Sequence, residues 1–313
     1  MSEQATDTVL MVRPASFGSN PETSASNVFQ HADGLDPTTV GELARQEFDA
    51  AADVLRDAGV RVLVVDDPPE PRRPDAVFPN NWFSTHADGR AMLYPMLAPV
   101  RRRERRPDML ERLASEHGLD LRILDSWLVR AFENKGEYLE GTGSLVLDRA
   151  NKVAYAARSA RTHKAPFEAF CARMGYTGVL FDATDADGTP YYHTNVVMCV
   201  GAGVGVVCLE AVDEHDRDRV RTSLESTGHA LVEITRAQVL DFVGNMLELR
   251  STSGDRLMAM STTAHDALTD AQREALNSDG VRLVHAPIPT IEHVGGGSLR
   301  CMLAEIFLPR ASS

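Results

Sequence analysis

The sequence holds little basic charge. Of its 313 residues, 32 are Lys or Arg against 45 Asp or Glu, a formal net charge of −13. Phosphate binding needs a basic face that releases counterions, so this balance argues against a nucleic-acid partner or an anionic membrane surface. Long apolar runs are also missing: none approaches the roughly 20 residues needed to cross a bilayer. The opening MSEQATDTVL carries neither the basic nor the apolar block of a signal peptide, so a cytoplasmic location is expected. Cysteine is sparse. Cys171, Cys199, Cys208 and Cys301 show no CxxC spacing for zinc, and in a reducing compartment each reads as a thiol. No metal or other cofactor is expected. No lysine follows the glycines 295–297 in Walker spacing, which disfavours a phosphate cradle, and GAGVGVV at 201–207 reads as a hairpin turn because it opens no helix.

What is present is a period. With 43% hydrophobic residues the chain can bury a large core. VLMV, the long helical stretch 39–59 and RVLVV read as strand, helix, strand. From Phe78 a unit of two strands, a helix and a strand emerges: NWFST, AMLYPM, the helix near ERRPDMLERLASEHG, and LRIL. The same order returns as SLVLD, KVAYAA, APFEAFCARMG, GVLFD; as NVVMCV, GVGVVCL, DEHDRDRVRTSLEST, LVEI; and as MLELR, RLMAMS, DAQREALNS, VRLVH. The units span about 78–125, 140–182, 193–234 and 245–285. The last strand, CMLAEIFL, completes a fifth with the start of the chain, 299–308 joining 8–66. Closure of the last unit with the first predicts a ring, so the chain is expected to be one cyclic α/β domain of five like units, residues 1–313. An open α/β sandwich is the plainer alternative.

One polar residue stands at or just before the first strand of each unit: Asn81, Glu140, His193, Asn245 and Cys301, at steps of 59, 53, 52 and 56 residues. In a ring of like units, equivalent positions converge on the axis. A carboxylate, an imidazole, two amides and a thiol would therefore share a central pocket. Each also has a plain reading: Cys301 as a small buried hydrophobe, His193 as a satisfied core histidine, Glu140 as a turn residue, Asn81 as a turn cap. The common phase favours the site. Gly295, Gly296 and Gly297 would let backbone approach a ligand closely or take positive φ, or form a flexible loop.

These residues resemble the guanidino-group-modifying, or pentein, superfamily, which includes arginine deiminase, dimethylarginine dimethylaminohydrolase and the amidinotransferases. The resemblance covers nearly the whole chain and implies a pentein-type α/β propeller, five ββαβ units around a pseudo-fivefold axis. It matches Cys301 in GGGSLRCM to the family's nucleophilic cysteine, His193 to its His-x-Asp histidine, and Glu140 in EGTGS to its Glu-Gly-Gly-Asp segment. Ser159-Ala-Arg-Thr162 matches the Ser-x-Arg-Thr segment and makes Arg161 a ligand for a substrate carboxylate. The family's Arg-Arg-x-Glu segment resembles 101–104, from which Arg102 is chosen. A planar guanidinium pairs a carboxylate bidentately.

Two departures set the expected substrate. The family's aspartates in Phe-x-x-Asp and His-x-Asp are replaced by Asn81 in FPNN and Asn195 in HTN. An aspartate pair suits a cationic guanidinium but leaves uncompensated buried charge beside a neutral group. Asparagine offers an acceptor and two donors without charge, which suits a ureido group. The resemblance therefore narrows to the citrulline-utilisation branch, whose chemistry implies Cys301 as nucleophile, His193 as acid and base, Glu140 as its partner, and Asn81, Asn195 and the two arginines around the substrate; Asn245, outside the family matches, is a secondary substrate-binding candidate by its phase alone. Citrulline would give ornithine, carbon dioxide and ammonia. A guanidine hydrolase, an amidinotransferase and a non-catalytic amino-acid-binding module are the rivals. The partner is a small ureido or guanidino amino acid, homo-oligomerisation is left open, and residues 14–30 read as either a lid or an inert loop.

Overall fold

The computed structural model describes residues 3–31, 34, 36–277 and 280–311. Apolar runs too short for helices become strands wherever a turn follows. β1 (Thr8–Arg13) and β2 (Arg61–Asp66) are joined by the helix Pro37–Asp57. That helix starts at Asp36, whose side chain accepts from the Thr38 and Thr39 amides, with Pro37 in the first turn. Val40, Ala44, Phe48, Ala51 and Leu55 recur on one face and are buried, the larger ones worth about 1.5–3 kcal/mol each. Then come β3 (Phe83–Thr85), β4 (Arg90–Leu93), the helix Pro107–Glu116 and β5 (Ile123–Asp125). β6 (Val146–Asp148), β7 (Val153–Ala157), the helix Lys164–Met174 and β8 (Thr177–Phe181) follow. After β9 (Met198–Val200) and β10 (Val204–Val207), the helix Glu214–Ser226 leads to β11 (Ala230–Glu233). β12 (Leu247–Arg250), β13 (Arg256–Ser261), the helix Asp270–Asn277, β14 (Arg282–Ala286) and β15 (Ala304–Glu305) complete the order. Ser278, read as the end of the fourth helix, lies outside the described residues.

The strands form five three-stranded sheets. In each, the first strand of a unit pairs antiparallel with the second, and the second pairs parallel with the third across the helix. The fifth sheet joins the ends of the chain: β1 pairs antiparallel with β15, Leu10 opposite Ala304, and parallel with β2. The inner strands touch in turn, β6 on β9, β9 on β12, and β15 on β3, while residues 299–302 pack on β13 and on 79–81. The result is a closed propeller of five ββαβ units. Among the described residues, no helix is long and apolar enough to cross a membrane.

The inner strands start later than expected. Asn81, Asn195 and Cys301 lie on single 3-10 turns, Pro79–Asn81, Thr194–Val196 and Leu299–Met302, and CMLAEIFL yields only the two-residue β15. The reason repeats in all three units: the Trp82, Val197 and Leu303 amides turn back to the Pro79, Thr194 and Arg300 carbonyls. A backbone spent on such a turn cannot also pair with a neighbouring strand. It instead projects its side chains toward the axis.

Candidate active site

The inner turns bring the site together. Cys301 is 3% exposed, and two amides face its sulfur: Asn245 Nδ2 at 3.3 Å and Asn195 Nδ2 at 3.7 Å. Asn245 Nδ2 also donates to the Asn195 carbonyl at 3.0 Å, which fixes which end of that amide is nitrogen. The opposite end of Asn195, Oδ1, is buried with no protein partner.

His193 and Glu140 meet at 2.9 Å through Nε2 and Oε2, both fully buried, while Glu140 Oε1 accepts from the Leu97 amide at 3.0 Å. Burial alone would raise the Glu140 carboxyl, but Arg161, with Nη1 at 3.6 Å, and the His193 bond outweigh it and hold the group well below the usual carboxylate range. Burial lowers His193 to about 4, against the pull of Glu140. At neutral pH the pair is a carboxylate beside a neutral imidazole. An ionised carboxylate only accepts, so Nε2 carries the hydrogen and Nδ1 keeps a free lone pair. Gly143 makes room for that nitrogen: a Cβ there would lie 2.6 Å from His193 Nδ1 and 2.5 Å from Asn81 Nδ2.

Asn81 is set by an arginine. Arg101 Nη1 donates to Asn81 Oδ1 at 2.7 Å, and because a guanidinium has no acceptor, the amide must turn its Nδ2 the other way. Arg101 itself is held by Glu104 through two bonds of 2.9 and 2.8 Å, by the Phe78 carbonyl, and by Asp75 at 3.7 Å. Burial pushes the Glu104 carboxyl up to about 7 while Arg101 opposes that rise. Arg102, the residue chosen from the arginine run, does not reach this cluster. It donates to the Met96 and Leu97 carbonyls and lies over the Tyr138 ring. Pro99–Arg102 is one helical turn, in which successive side chains point about 100° apart, so only Arg101 faces inward.

Residues 20–31 cover the pocket. Asn20 Nδ2 donates to Asp75 at 2.5 Å, and Asn27 Nδ2 donates to the Gly296 carbonyl at 3.0 Å, which also accepts from the Tyr192 hydroxyl at 2.7 Å. Arg161 does not point at open space: it donates to the Thr23 carbonyl at 2.9 Å and to Ser26 Oγ at 2.8 and 3.0 Å. The glycine triplet seats this cover. A Cβ on Gly296, whose φ is +64°, would sit 2.6 Å from Asn27 Nδ2, and one on Gly295 would sit 2.8 Å from Phe78. Between cover and axis remains a cavity of only about 10 Å³, lined by Asp75, Asn81, Arg101, Arg161, Tyr192, His193 and Cys301 among others. Ordinary small-molecule pockets measure roughly 300–1,000 Å³, so a substrate enters only when the cover moves. Asp75, Arg101, Tyr192 and the contacts of Thr23 and Asn27 were not singled out from sequence. Asp75, three residues before Phe78 in DAVFPNN, was the readable one. Among the described residues, no three His, Cys, Asp or Glu side chains group so as to hold a metal ion.

The chain is matched over residues 13–308 by the family model described as N,N dimethylarginine dimethylhydrolase, eukaryotic. No curated protein sequence matches it significantly. Among solved structures, it is similar to the substrate-bound N-terminal domain of ArgZ, an arginine dihydrolase from the ornithine-ammonia cycle in cyanobacteria, with 14% identity, 96% of this chain, 98% of that chain and a TM-score of 0.73. AgrE in complex with L-arginine gives 16% identity and a TM-score of 0.74, covering 96% of this chain and 40% of that one. The dimethylarginine hydrolase of Pseudomonas aeruginosa with citrulline gives 15% identity, 96% and 100% coverage, and a TM-score of 0.63. The chain belongs to the dimethylarginine dimethylhydrolase family of guanidino-group hydrolases, within the pentein superfamily.

Proposed function

We propose that the protein hydrolyses the ureido group of citrulline through a covalent intermediate on Cys301. The observation that carries this reading is the Arg101 to Asn81 bond, which turns the Asn81 Nδ2 donor away from Arg101, with Asn195 Oδ1 left as an unpaired acceptor close to the sulfur. A ureido group brings a carbonyl for the donor and N–H groups for the acceptor. Two buried amides satisfy it without leaving a net charge.

In the first half, Cys301 attacks the ureido carbon as neutral His193 takes the thiol proton on Nδ1 and passes it to the departing ammonia. A thiocarbamoyl Cys301 remains. Glu140 holds the imidazole by Nε2–H and stabilises its cationic form, while Asn245 and Asn195 donate to the sulfur, where charge gathers. In the second half, His193 takes a proton from water, the water oxygen bonds to the carbon, and Cys301 leaves. The product is a carbamic acid that loses carbon dioxide to give ornithine. A structure of an ArgZ variant covalently bound to a reaction intermediate is consistent with this route. The substrate carboxylate would take the Arg161 bonds that Thr23 and Ser26 now occupy.

A second reading has one observation in its favour: the Asp75 carboxylate lines the same space and suits a cationic guanidinium. Arginine would then be hydrolysed first to citrulline and onward to ornithine, as the likeness to an arginine dihydrolase also favours. Supplying citrulline, arginine and dimethylarginine separately, with mass detection of products, tests both. Ornithine from citrulline supports the ureide reading; ornithine from arginine but not from citrulline overturns it. Product that forms only when an acceptor amine is present would indicate a transferase.

A further inference from the structure

A second cavity, of about 290 Å³, opens where β3 turns into β4 and β6 turns into β7. It shares no lining residue with the pocket at Cys301. His86, Arg149 and Tyr176 give it a buried floor, and Lys152 and Arg173, both exposed, stand at its rim.

Carboxylates are short here. Arg149 and Arg300 share one oxygen of Glu305, each at 3.4 Å, and Arg90 and Arg173 share Asp125 Oδ2 at 2.8 and 2.7 Å. Asp88 and Glu3 also line the cavity, but Asp88 lies 3.5 Å from Arg90 and Glu3 lies 4.0 Å from Arg250. Asp148, before the same turn as Lys152, accepts from the Asn151 side chain with both oxygens. Lys152 is left over: among the described residues no carboxylate comes within ion-pair distance of it. Its φ is +56°, a region uncommon for lysine and easy for glycine, and the Thr177 amide fixes its carbonyl at 2.7 Å. The ammonium stands 4.6 Å over the Tyr176 ring, and the Arg149 guanidinium 4.1 Å over Phe307.

His86, only 5% exposed, adds a donor. Its Nε2 bonds Ser84 Oγ at 2.9 Å, Ser84 Oγ bonds the Tyr94 hydroxyl at 2.7 Å, and Nδ1 has no hydrogen-bond partner among the described residues. Burial first, then Arg149, Lys152 and Arg90, hold this imidazole well below its usual range, so it is uncharged at neutral pH. Protons running from Tyr94 to Ser84 to Nε2 leave the ring hydrogen on Nδ1.

We propose that this cavity binds a small phosphate, free or as a monoester, with Arg149 and Lys152 pairing its charge and His86 Nδ1 donating to a further oxygen. Glu305 answers one charge of Arg149 and Arg300 together, and no described carboxylate answers Lys152, so a dianion fits where a carboxylate would leave charge over. A guanidinium fork also takes two phosphate oxygens at once. The volume is at the small end of ligand pockets, roughly 300–1,000 Å³, which suits a phosphate carrying few further atoms. The formal charge of −13 argues against a polyanion, which needs an extended basic face, and not against one recessed anion.

Calorimetric titration of inorganic phosphate, glycerol 3-phosphate and acetate into the whole chain tests this, at matched ionic strength and about pH 8, where phosphate is a dianion. Saturable binding of either phosphate, with acetate at least about tenfold weaker, supports the site, and the tighter phosphate shows whether the occupant is free or esterified. Lys152→Met, at an exposed position, should weaken phosphate binding about tenfold or more, as expected for one charged hydrogen bond. Three results would each overturn the proposal: no saturable phosphate binding, acetate bound as tightly, or unchanged affinity in a Lys152→Met variant that circular dichroism shows to be folded. The last would place the phosphate elsewhere. Should that variant not fold, a crystal structure of the unmodified protein grown with phosphate decides: phosphate among Arg149, Lys152 and His86 supports the site, and an empty cavity overturns it.

Discussion

Replacing Asn81 with aspartate should reverse the preference of the site. Arg101 Nη1 already holds Asn81 Oδ1 at 2.7 Å, so a carboxylate can keep that bond unchanged. The change falls on the other end, where an N–H donor becomes an acceptor. A ureido carbonyl then faces oxygen instead of nitrogen and loses its partner, at a cost of about 1–3 kcal/mol. The new charge also stands beside a guanidinium that Glu104 and Asp75 already flank, so Arg101 cannot fully compensate it. A cationic substrate can. The ratio of kcat/KM for citrulline to that for arginine should fall by about 10- to 100-fold in Asn81→Asp, since each factor of ten is worth about 1.4 kcal/mol. Steady-state assays on both substrates, with circular dichroism to confirm folding, measure it. A ratio within about twofold of the unmodified value would refute the argument that the amide selects a neutral group.

Other residues give sharper losses. Glu140 accepts from both His193 Nε2 and the Leu97 amide, so Glu140→Gln must aim its own NH₂ at one of them; kcat should fall about 100-fold with a smaller change in KM, checked by steady-state kinetics. Gly143→Ala puts a methyl 2.6 Å from His193 Nδ1 and should cost about 100-fold in kcat/KM while far-ultraviolet dichroism stays native, because a displacement of about 1 Å at the reacting groups is enough. His193 must be neutral to act, and burial has lowered it to about 4, so kcat/KM should hold constant as pH falls through 6.5 and decline only toward 4. The same lowered value makes the unfolded chain take up the proton first, so His193 contributes stability that is present above about 6.5 and is lost as pH falls from there through about 4. An acid limb centred near 6.5 would contradict it.

The architecture was legible because the repeat is written in period: each unit needs an apolar pair of strands, an amphipathic helix and one more strand, and VAYAA or RLMAMS can satisfy little else. The positions of Asn81, Glu140, His193, Asn245 and Cys301 were legible for the same reason, since like positions in a closed ring meet at the axis. Local geometry was not. The 3-10 turns before the inner strands look like strand in NVVMCV and CMLAEIFL, because both states place apolar residues identically over three positions. Arg102 was chosen over Arg101 because adjacent arginines in a one-turn helix have no periodicity to separate them. The contacts of Arg161 with Thr23 and Ser26 join residues 138 and 135 positions apart through small polar groups, which carry no pattern at that distance.

The most direct measurement is the mass of Cys301 during turnover. Acid quench of the protein with citrulline, followed by digestion and mass spectrometry, should find citrulline less ammonia on the peptide carrying Cys301, with ornithine accumulating in solution. Cys301→Ser should remove both while citrulline binding, followed by calorimetry, stays within a few fold. Ornithine formation that persists without Cys301, or citrulline left intact by protein that consumes arginine, would contradict the account.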